Sequence, residues 1–299
     1  MRFDWYQTTI EADPREAVMT LAKLGHELRP ADSLAKRYRY SQGWAVHHHQ
    51  RGIVAHVFAG GNGTNPHAFA SSEATDDFVS LVRQEWPDRH LVTRMDAAED
   101  FNEEGGYDRI RPVARKIAKR HRLNFPKYED DLNPAAGRTQ YLGSPASDYR
   151  ARLYEKGWEQ VAKLLALFPG GAGKPDASSV VSIRNELTGE DVRPQDWTRL
   201  ELQVRPRQEE GRRLAATVTP EQAWGFTEWA HELAQEAMAL NLERICIRTR
   251  KVSKDEESLR WMCQHYGAML TRLQADLGDW ACVGLEVGRM IQEQNKHKG

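Results

Sequence analysis

Much of the chain alternates apolar and polar residues with the period of two that marks a strand with one buried face. Three stretches alternate with an unusual polar side. In 149–156, Tyr149, Ala151 and Leu153 take one parity, and Arg150, Arg152, Tyr154 and Lys156 take the other. In 91–101, Leu91, Met95, Ala97 and Phe101 alternate with Arg94, Asp96 and Asp100. In 197–205, Thr198, Leu200, Leu202 and Val204 alternate with Arg199, Glu201, Gln203 and Arg205. Each stretch offers one face to a core and one face of acids and cations. Placed in one sheet, the three polar faces would combine carboxylates, arginines and a phenol.

Other elements follow from the same patterning. Strands are expected at 2–11, 37–50, 52–59 and 68–70, the second and third as an antiparallel pair, and 138–143 forms a hairpin with 149–156. Asp13 caps a helix that has Pro14 at its first position. Helices are also expected at 72–86, 107–121 and 158–168, within 176–190, and at 220–241, 255–277 and 279–294, with a strand at 244–248. The 107–121 helix turns Ile110, Val113, Ile117 and Ala118 inward and carries Arg109, Arg111, Arg115, Lys116, Lys119 and Arg120 on its other side. That basic side is either a solvated face or a guide for a DNA backbone. The glycines at 60–63 and 170–174 read as turns, because neither run has the Gly-Lys-Ser or Gly-Lys-Thr of a phosphate loop. The expected class is α/β (α+β), an antiparallel or mixed sheet with flanking helices. A catalytic domain at 1–206 is followed by a mostly helical subdomain at 207–299.

Composition narrows the choice of function. The 299 residues suffice for a full core, and a net charge of -1 exerts no global pull on nucleic acid. Any DNA contact must therefore come from a local basic cleft. Three cysteines, Cys246, Cys263 and Cys282, lack metal-type spacing and read as free thiols. No run approaches the ~20 apolar residues of a membrane span. The polar start MRFDWYQTTIEAD is unlike a secretory signal, so no membrane partner and a cytoplasmic location are expected.

The polar faces carry the candidate chemistry. A phenol of ordinary pKa near ~10 is a poor nucleophile at neutral pH. The cations around Tyr154 would favour its phenolate and hold an anionic substrate against it. Arg94, Arg150, Arg152, Lys156 and Arg199 are the residues expected on phosphates. Carboxylates on the same faces suit a hard divalent cation. His47 and His49 share a strand face and, with an acid, would suit Mn2+ or Zn2+; the other reading is an ordinary polar strand face. Tyr141 is a rival nucleophile whose strand neighbours, Gln140 and Leu142, bring no cations, which favours a packing role. No nucleophile elbow or comparable local signature supports a serine or cysteine site.

The stretches TRMDAAEDF, TQYLGSPASDYRARLYEK and WTRLELQVR also resemble, in order and spacing, the three signatures of the Rep_trans family, the replication initiators of rolling-circle plasmids and filamentous phages. The similarity spans about 90–206, with a weaker part upstream from FDWYQTTI. It implies that Tyr154 cleaves one DNA strand at an origin, and that Asp96 and Glu201, with Asp100, hold Mg2+ or Mn2+. The product would be a 5'-phosphotyrosine and a free 3'-hydroxyl. Pro145 and Ala146 stand where a charged residue is common after Tyr-x-Gly, and Glu155 replaces a common Asn or Asp; these departures bear on origin preference. The implied partners are origin DNA, single-stranded or extruded as a hairpin, a host helicase and polymerase, and a second copy of the chain. Two other classes stand beside this one: a mobilisation relaxase and a non-catalytic DNA-binding regulator.

Overall fold

The structure is a computed structural model that describes residues 1–168, 176–185, 188–245 and 254–296. The expected turn at 170–174 lies outside the described residues, as does most of the expected strand at 244–248. Packing divides the chain into two compact units, Met1–Ile247 and Arg248–Gly299. In chain order the first unit contains β1 (Arg2–Ile10), α1 (Pro14–Leu21), β2 (Glu27–Pro30), α2 (Asp32–Arg37), β3 (Gln42–His48), β4 (Gly52–Ala59), β5 (His67–Ser71), α3 (Thr75–Glu85), β6 (His90–Asn102) and α4 (Gly106–Arg120). It continues with β7 (Lys127–Tyr128), β8 (Thr139–Leu142), β9 (Tyr149–Glu155), α5 (Lys156–Leu165), β10 (Ile183–Asn185), β11 (Glu190–Val192), β12 (Trp197–Val204), α6 (Glu209–Thr217), α7 (Pro220–Ala223) and α8 (Glu228–Met238). The second unit contains α9 (Lys254–Leu277) and α10 (Trp280–Lys296). Between them Gly278 takes a left-handed φ of 97°, and the Asp279 carboxylate accepts from the Cys282 N–H at 2.7 Å. Among the described residues, no helix is long and apolar enough to cross a membrane.

Ten strands form one sheet in the order β2-β3-β4-β5-β1-β6-β12-β9-β8-β7, and β10 and β11 form a separate hairpin. Neighbouring strands run antiparallel throughout, so the architecture is the expected α+β one. One face of the sheet buries Tyr6, Met95, Leu153, Leu200 and Leu202 against helices that contribute Leu21, Phe78, Ile110, Ile117 and Leu233. Fully burying such side chains contributes about 1.5–3 kcal/mol each. A smaller aromatic cluster of Tyr40, Phe58 and Phe69, with Ala35 of α2 and partly buried Trp5 and Tyr38, lies over β4, β5 and β1. It begins where the charged panel ends: the Trp5 ring stacks on Phe69 at 4.8 Å, and the Arg94 guanidinium lies 4.7 Å from the Trp5 ring centre.

Several expectations change. Residues 32–37 are helix α2, so the expected strand at 37–50 shrinks to β3; Asp32 bonds the Gly43 N–H at 2.9 Å and ties the helix to the strand start. The 176–190 region holds a 3-10 turn and a short hairpin in place of a helix. Helix α6 lies in a stretch that the periodicity left unassigned. The basic side of α4 meets acids of α8, with Lys116 at 2.9 Å from Glu236 and Arg120 at 2.8 Å from Glu232. Much of its charge is thereby engaged, on the helical layer and away from the charged face of the sheet.

Two β-bulges reset the alternation. Between β1 and β6, Phe3 pairs with Ala97 and Trp5 with Asp96, which leaves Asp4 as the extra residue. Farther along, Gln7 pairs with Arg94 and Thr8 with Val92, so Thr93 is extra on β6. Val92 and Met95 therefore both enter the core, and Leu91, expected there by unbroken parity, is only partly buried.

The buried His67 gives the fold a pH dependence. It is 5% exposed, with Gln7 Nε2 at 2.8 Å from its Nε2, and burial followed by the charge of Arg212 pushes its pKa down to about 4. A depressed histidine contributes stability above its unfolded pKa, near ~6.5, and loses it as the pH falls through the folded value. We expect about 3 kcal/mol of stability to be lost between about pH 6.5 and 4 through this group. Urea unfolding across that range should show a flatter acid limb for His67→Gln; an unchanged limb would exclude His67 as its source.

Candidate active site

The three polar-faced strands are neighbours at the centre of the sheet, in the order β6-β12-β9. Their register sets the polar side chains in rows. Arg199 pairs with Asp100 on one side and Tyr154 on the other; Glu201 pairs with Ala98 and Arg152; Gln203 pairs with Asp96 and Arg150. Arg94 follows the Thr93 bulge at the panel's flank, and Lys156 begins α5 directly after β9. All nine expected site residues thus lie on or beside one panel.

Each acid of the panel is engaged by an arginine. Arg199, 1% exposed, donates Nε to Asp100 Oδ1 at 2.6 Å and Nη2 to Asp100 Oδ2 at 2.7 Å, a bidentate pair. Its Nη1 reaches Asp4 Oδ1 at 2.8 Å. Arg94 forks onto Asp96, with Nε to Oδ1 at 3.0 Å and a second bond from Nη2 to Oδ2. Arg152 Nη2 donates to Glu201 Oε2 at 3.1 Å. Burial raises the pKa of Asp96 and of Glu201, against the pull of Arg94 and Arg152 respectively. For Asp4 burial is also the largest influence, but Arg199, Lys156 and Arg2 outweigh it and the pKa is lowered.

Tyr154 is 3% exposed. The Arg152 guanidinium lies 3.9 Å from its ring centre, and Lys156 Nζ lies 5.7 Å from it. Lys156 is itself paired with Glu159 at 2.6 Å. Contrary to the expectation that these cations favour the phenolate, the phenol pKa is raised well above its ordinary value. Burial is the main cause and the Glu201 charge adds to it, while Arg152 and Arg199 oppose. The cations lose because burial disfavours the charged phenolate by more than Arg152 and Arg199 stabilise it, and the nearby Glu201 carboxylate repels it further.

Buried donors on this face that find no acceptor among the described residues include Tyr154 Oη, Arg150 Nε and Arg152 Nε, with Arg2 Nε at its β1 edge. A buried donor left unmatched costs about 1–3 kcal/mol. Beside them a cleft of about 210 Å³ is lined by Arg94, Arg150, Arg152, Arg205, Tyr141 and Glu201. Burial lowers the Arg205 pKa, and neighbouring Arg94 adds to that effect. A larger cleft of about 580 Å³, lined in part by Asp4, Lys156 and Arg199, opens on the other flank. Acceptors of negative charge complete such a site, and phosphate oxygens have that chemistry.

Two contributors escaped the reading of periodicity. Asp4 reaches Arg199 because of its bulge; the visible signal was that Phe3 and Tyr6 cannot share a face in an unbroken strand. Tyr141, expected to lack cations, carries the Arg150 guanidinium 3.7 Å from its ring centre and stands opposite Arg152 across the β8-β9 pair. The partner came from across the hairpin, where sequence neighbours give no hint of it.

Among the described residues, the group of three metal-ligating side chains whose ligand atoms lie within 4.8 Å of one another is His26, His48 and His49. That group contains His49 but not His47, the residue weighed with it as a metal-binding pair. The chain leaves β3 at His48, so the strand's period of two does not carry on to His49; the bulge beside it lies on β4, where Val54 is the extra residue between Ile53 and Ala55.

No family model matches the chain, and no curated protein matches it. Among solved structures, the chain is similar to the rolling circle replication initiator protein from Geobacillus stearothermophilus, at 19% identity over 85% of this chain and 89% of that one, with a TM-score of 0.47.

Proposed function

We propose that the chain is a tyrosine-dependent, metal-assisted DNA nickase and strand transferase that starts rolling-circle replication, with its chemistry in residues 1–206. The observation that supports this most is the group of unmatched donors, Tyr154 Oη, Arg150 Nε and Arg152 Nε, on one cationic face of the sheet. A phosphodiester supplies acceptors for all three. As its phosphate draws Arg152 away from Glu201, the guanidinium leaves the Tyr154 ring and uncovers the phenol. Oη then gives its proton to water and bonds to phosphorus in line, the bond from phosphorus to the 3'-oxygen breaks, and that oxygen takes a proton from water to leave the DNA with a 3'-hydroxyl. The arginines stabilise the charge that develops on the phosphate. The phosphotyrosine preserves the energy of the broken bond, so attack by a 3'-hydroxyl rejoins strands.

The carboxylates of Asp96 and Glu201 are hard oxygen donors of the kind Mg2+ or Mn2+ takes, and burial opposes their ionisation, an opposition that a divalent cation would relieve. Among the described residues these two and Asp100 do not gather into a three-ligand group, Asp96 and Asp100 being four residues or about 13 Å apart along β6. Asp100 therefore stays with Arg199, and water or phosphate oxygens would complete the shell. When bound, such an ion would supply Lewis-acid polarisation of a non-bridging phosphate oxygen. The substrate strand must be single-stranded or extruded to place its backbone against the panel. A host helicase and polymerase would act on the product.

The 3% exposure and raised pKa of Tyr154 favour a second reading, a DNA-binding regulator without cleavage. A cleavage assay on supercoiled DNA carrying the element's own origin, with Mg2+ or Mn2+, decides between them. The nickase gives a covalent protein-DNA adduct whose phosphopeptide maps to Tyr154. An adduct mapped to Tyr141 would reassign the nucleophile, and no adduct on an origin that the protein demonstrably binds would leave the regulator.

A further inference from the structure

We propose that His26, His48 and His49 form a site for a late first-row divalent metal of the Zn2+ class, separate from the tyrosine panel. The three rings come from two chain segments. His26 precedes β2, and its N–H bonds the His47 carbonyl at 2.8 Å; His48 and His49 sit where β3 turns toward β4. This close approach depends on Gly25, where a Cβ would meet His47 O at 2.5 Å and Val46 Cγ1 at 2.7 Å. The ring centres lie 4.3 Å (His26 and His49), 4.7 Å (His26 and His48) and 4.7 Å (His48 and His49) apart.

The nitrogen geometry carries the proposal furthest. His26 Nδ1 and His49 Nδ1 are 3.2 Å apart. Two nitrogens each ~2.0–2.1 Å from a tetrahedral Zn2+ are separated by about 3.3 Å, so the pair already has nearly the spacing of one edge of such a site. His48 Nδ1 receives only long contacts, 3.3 Å from the Gln50 N–H and 3.4 Å from the Arg51 N–H. These are the bonds that a metal at His48 Nδ1 would replace. Three imidazoles and no carboxylate select Zn2+, Ni2+, Co2+ or Cu2+ over Mg2+. The nearby charges of Arg51 and Asp77 are paired with each other at 2.7 Å.

This site cannot serve the phosphodiester chemistry directly. β3 and β9 are six positions apart in the sheet, roughly 29 Å at ~4.8 Å per strand. A metal here would clamp the segment before β2 to the β3-β4 turn at the sheet's far side.

The test is titration of the metal-free full chain with Zn2+ by calorimetry, together with electron paramagnetic resonance of the Cu2+ form. We expect one Zn2+ per chain at this site, a Cu2+ spectrum split by imidazole nitrogens, and at least about tenfold weaker Zn2+ binding in each of His26→Ala, His48→Ala and His49→Ala. Asp96→Asn with Glu201→Gln should leave this binding unchanged, which separates it from the panel. Circular dichroism checks that the variants fold, and His47→Ala serves as a matched control. The proposal is overturned if the triple alanine variant binds Zn2+ as the parent does, if binding follows Asp96 and Glu201, or if the Cu2+ spectrum shows no nitrogen splitting.

Discussion

Tyr154→Phe should abolish the covalent protein-DNA adduct and reduce origin nicking by at least about 10⁴-fold, since removal of a nucleophile eliminates the covalent step itself. The same change should leave the fold intact or make it more stable. Oη is buried without an acceptor, and removing an unmatched buried hydroxyl recovers up to ~1 kcal/mol. Activity and stability are thus expected to move in opposite directions, a signature that a merely structural tyrosine does not produce. A denaturing gel reads the first quantity and urea unfolding the second. An adduct that persists in the variant would remove Tyr154 from the mechanism.

Arg199→Met should cost about 3–5 kcal/mol of stability at neutral pH, because it strands the Asp100 carboxylate and leaves Asp4 with Arg2 alone, at 3.0 Å, in a site where the guanidinium is 1% exposed. The pH dependence has a definite sign. The lowered pKa of Asp4 means that its contribution is present above the unfolded carboxylate value and lost as the pH falls through the folded one. The gap between parent and variant should therefore narrow in acid. Adding Asp100→Asn to the variant should recover part of the loss, because one stranded charge is removed. A loss below ~1 kcal/mol in urea unfolding at pH 7 would show that solvent already screens the pair.

The strand alternation made the central panel legible before any coordinates: it placed Tyr154, Arg199, Glu201 and Asp96 on polar faces, and the fold sets those faces side by side. The α+β class was legible for the same reason. What escaped were effects with no fixed sequence period. The bulges at Asp4 and Thr93 each add one residue and reverse the parity beyond it. Short elements such as β2, β10 and β11 carry too few residues for a pattern. The Tyr154 phenol went the other way from expectation because sequence shows which cations are near but not how deeply the ring is buried or that Glu201 lies against it. His26 joined His48 and His49 through a backbone contact that only Gly25 permits.

The position of β12 has a temporal consequence. It enters between β6 and β9, strands that start 107 and 48 residues earlier in the chain, at residues 90 and 149 against 197. Until Trp197–Val204 has been synthesised and inserted, β6 and β9 present open edges toward each other, and Arg199 and Glu201 do not yet exist. During translation the phenol-bearing strand therefore precedes its acid and its arginine, and the panel is completed by the last strand of the sheet to be made. The proposed cutting of DNA must therefore await the finished sheet, which a partly made chain does not have.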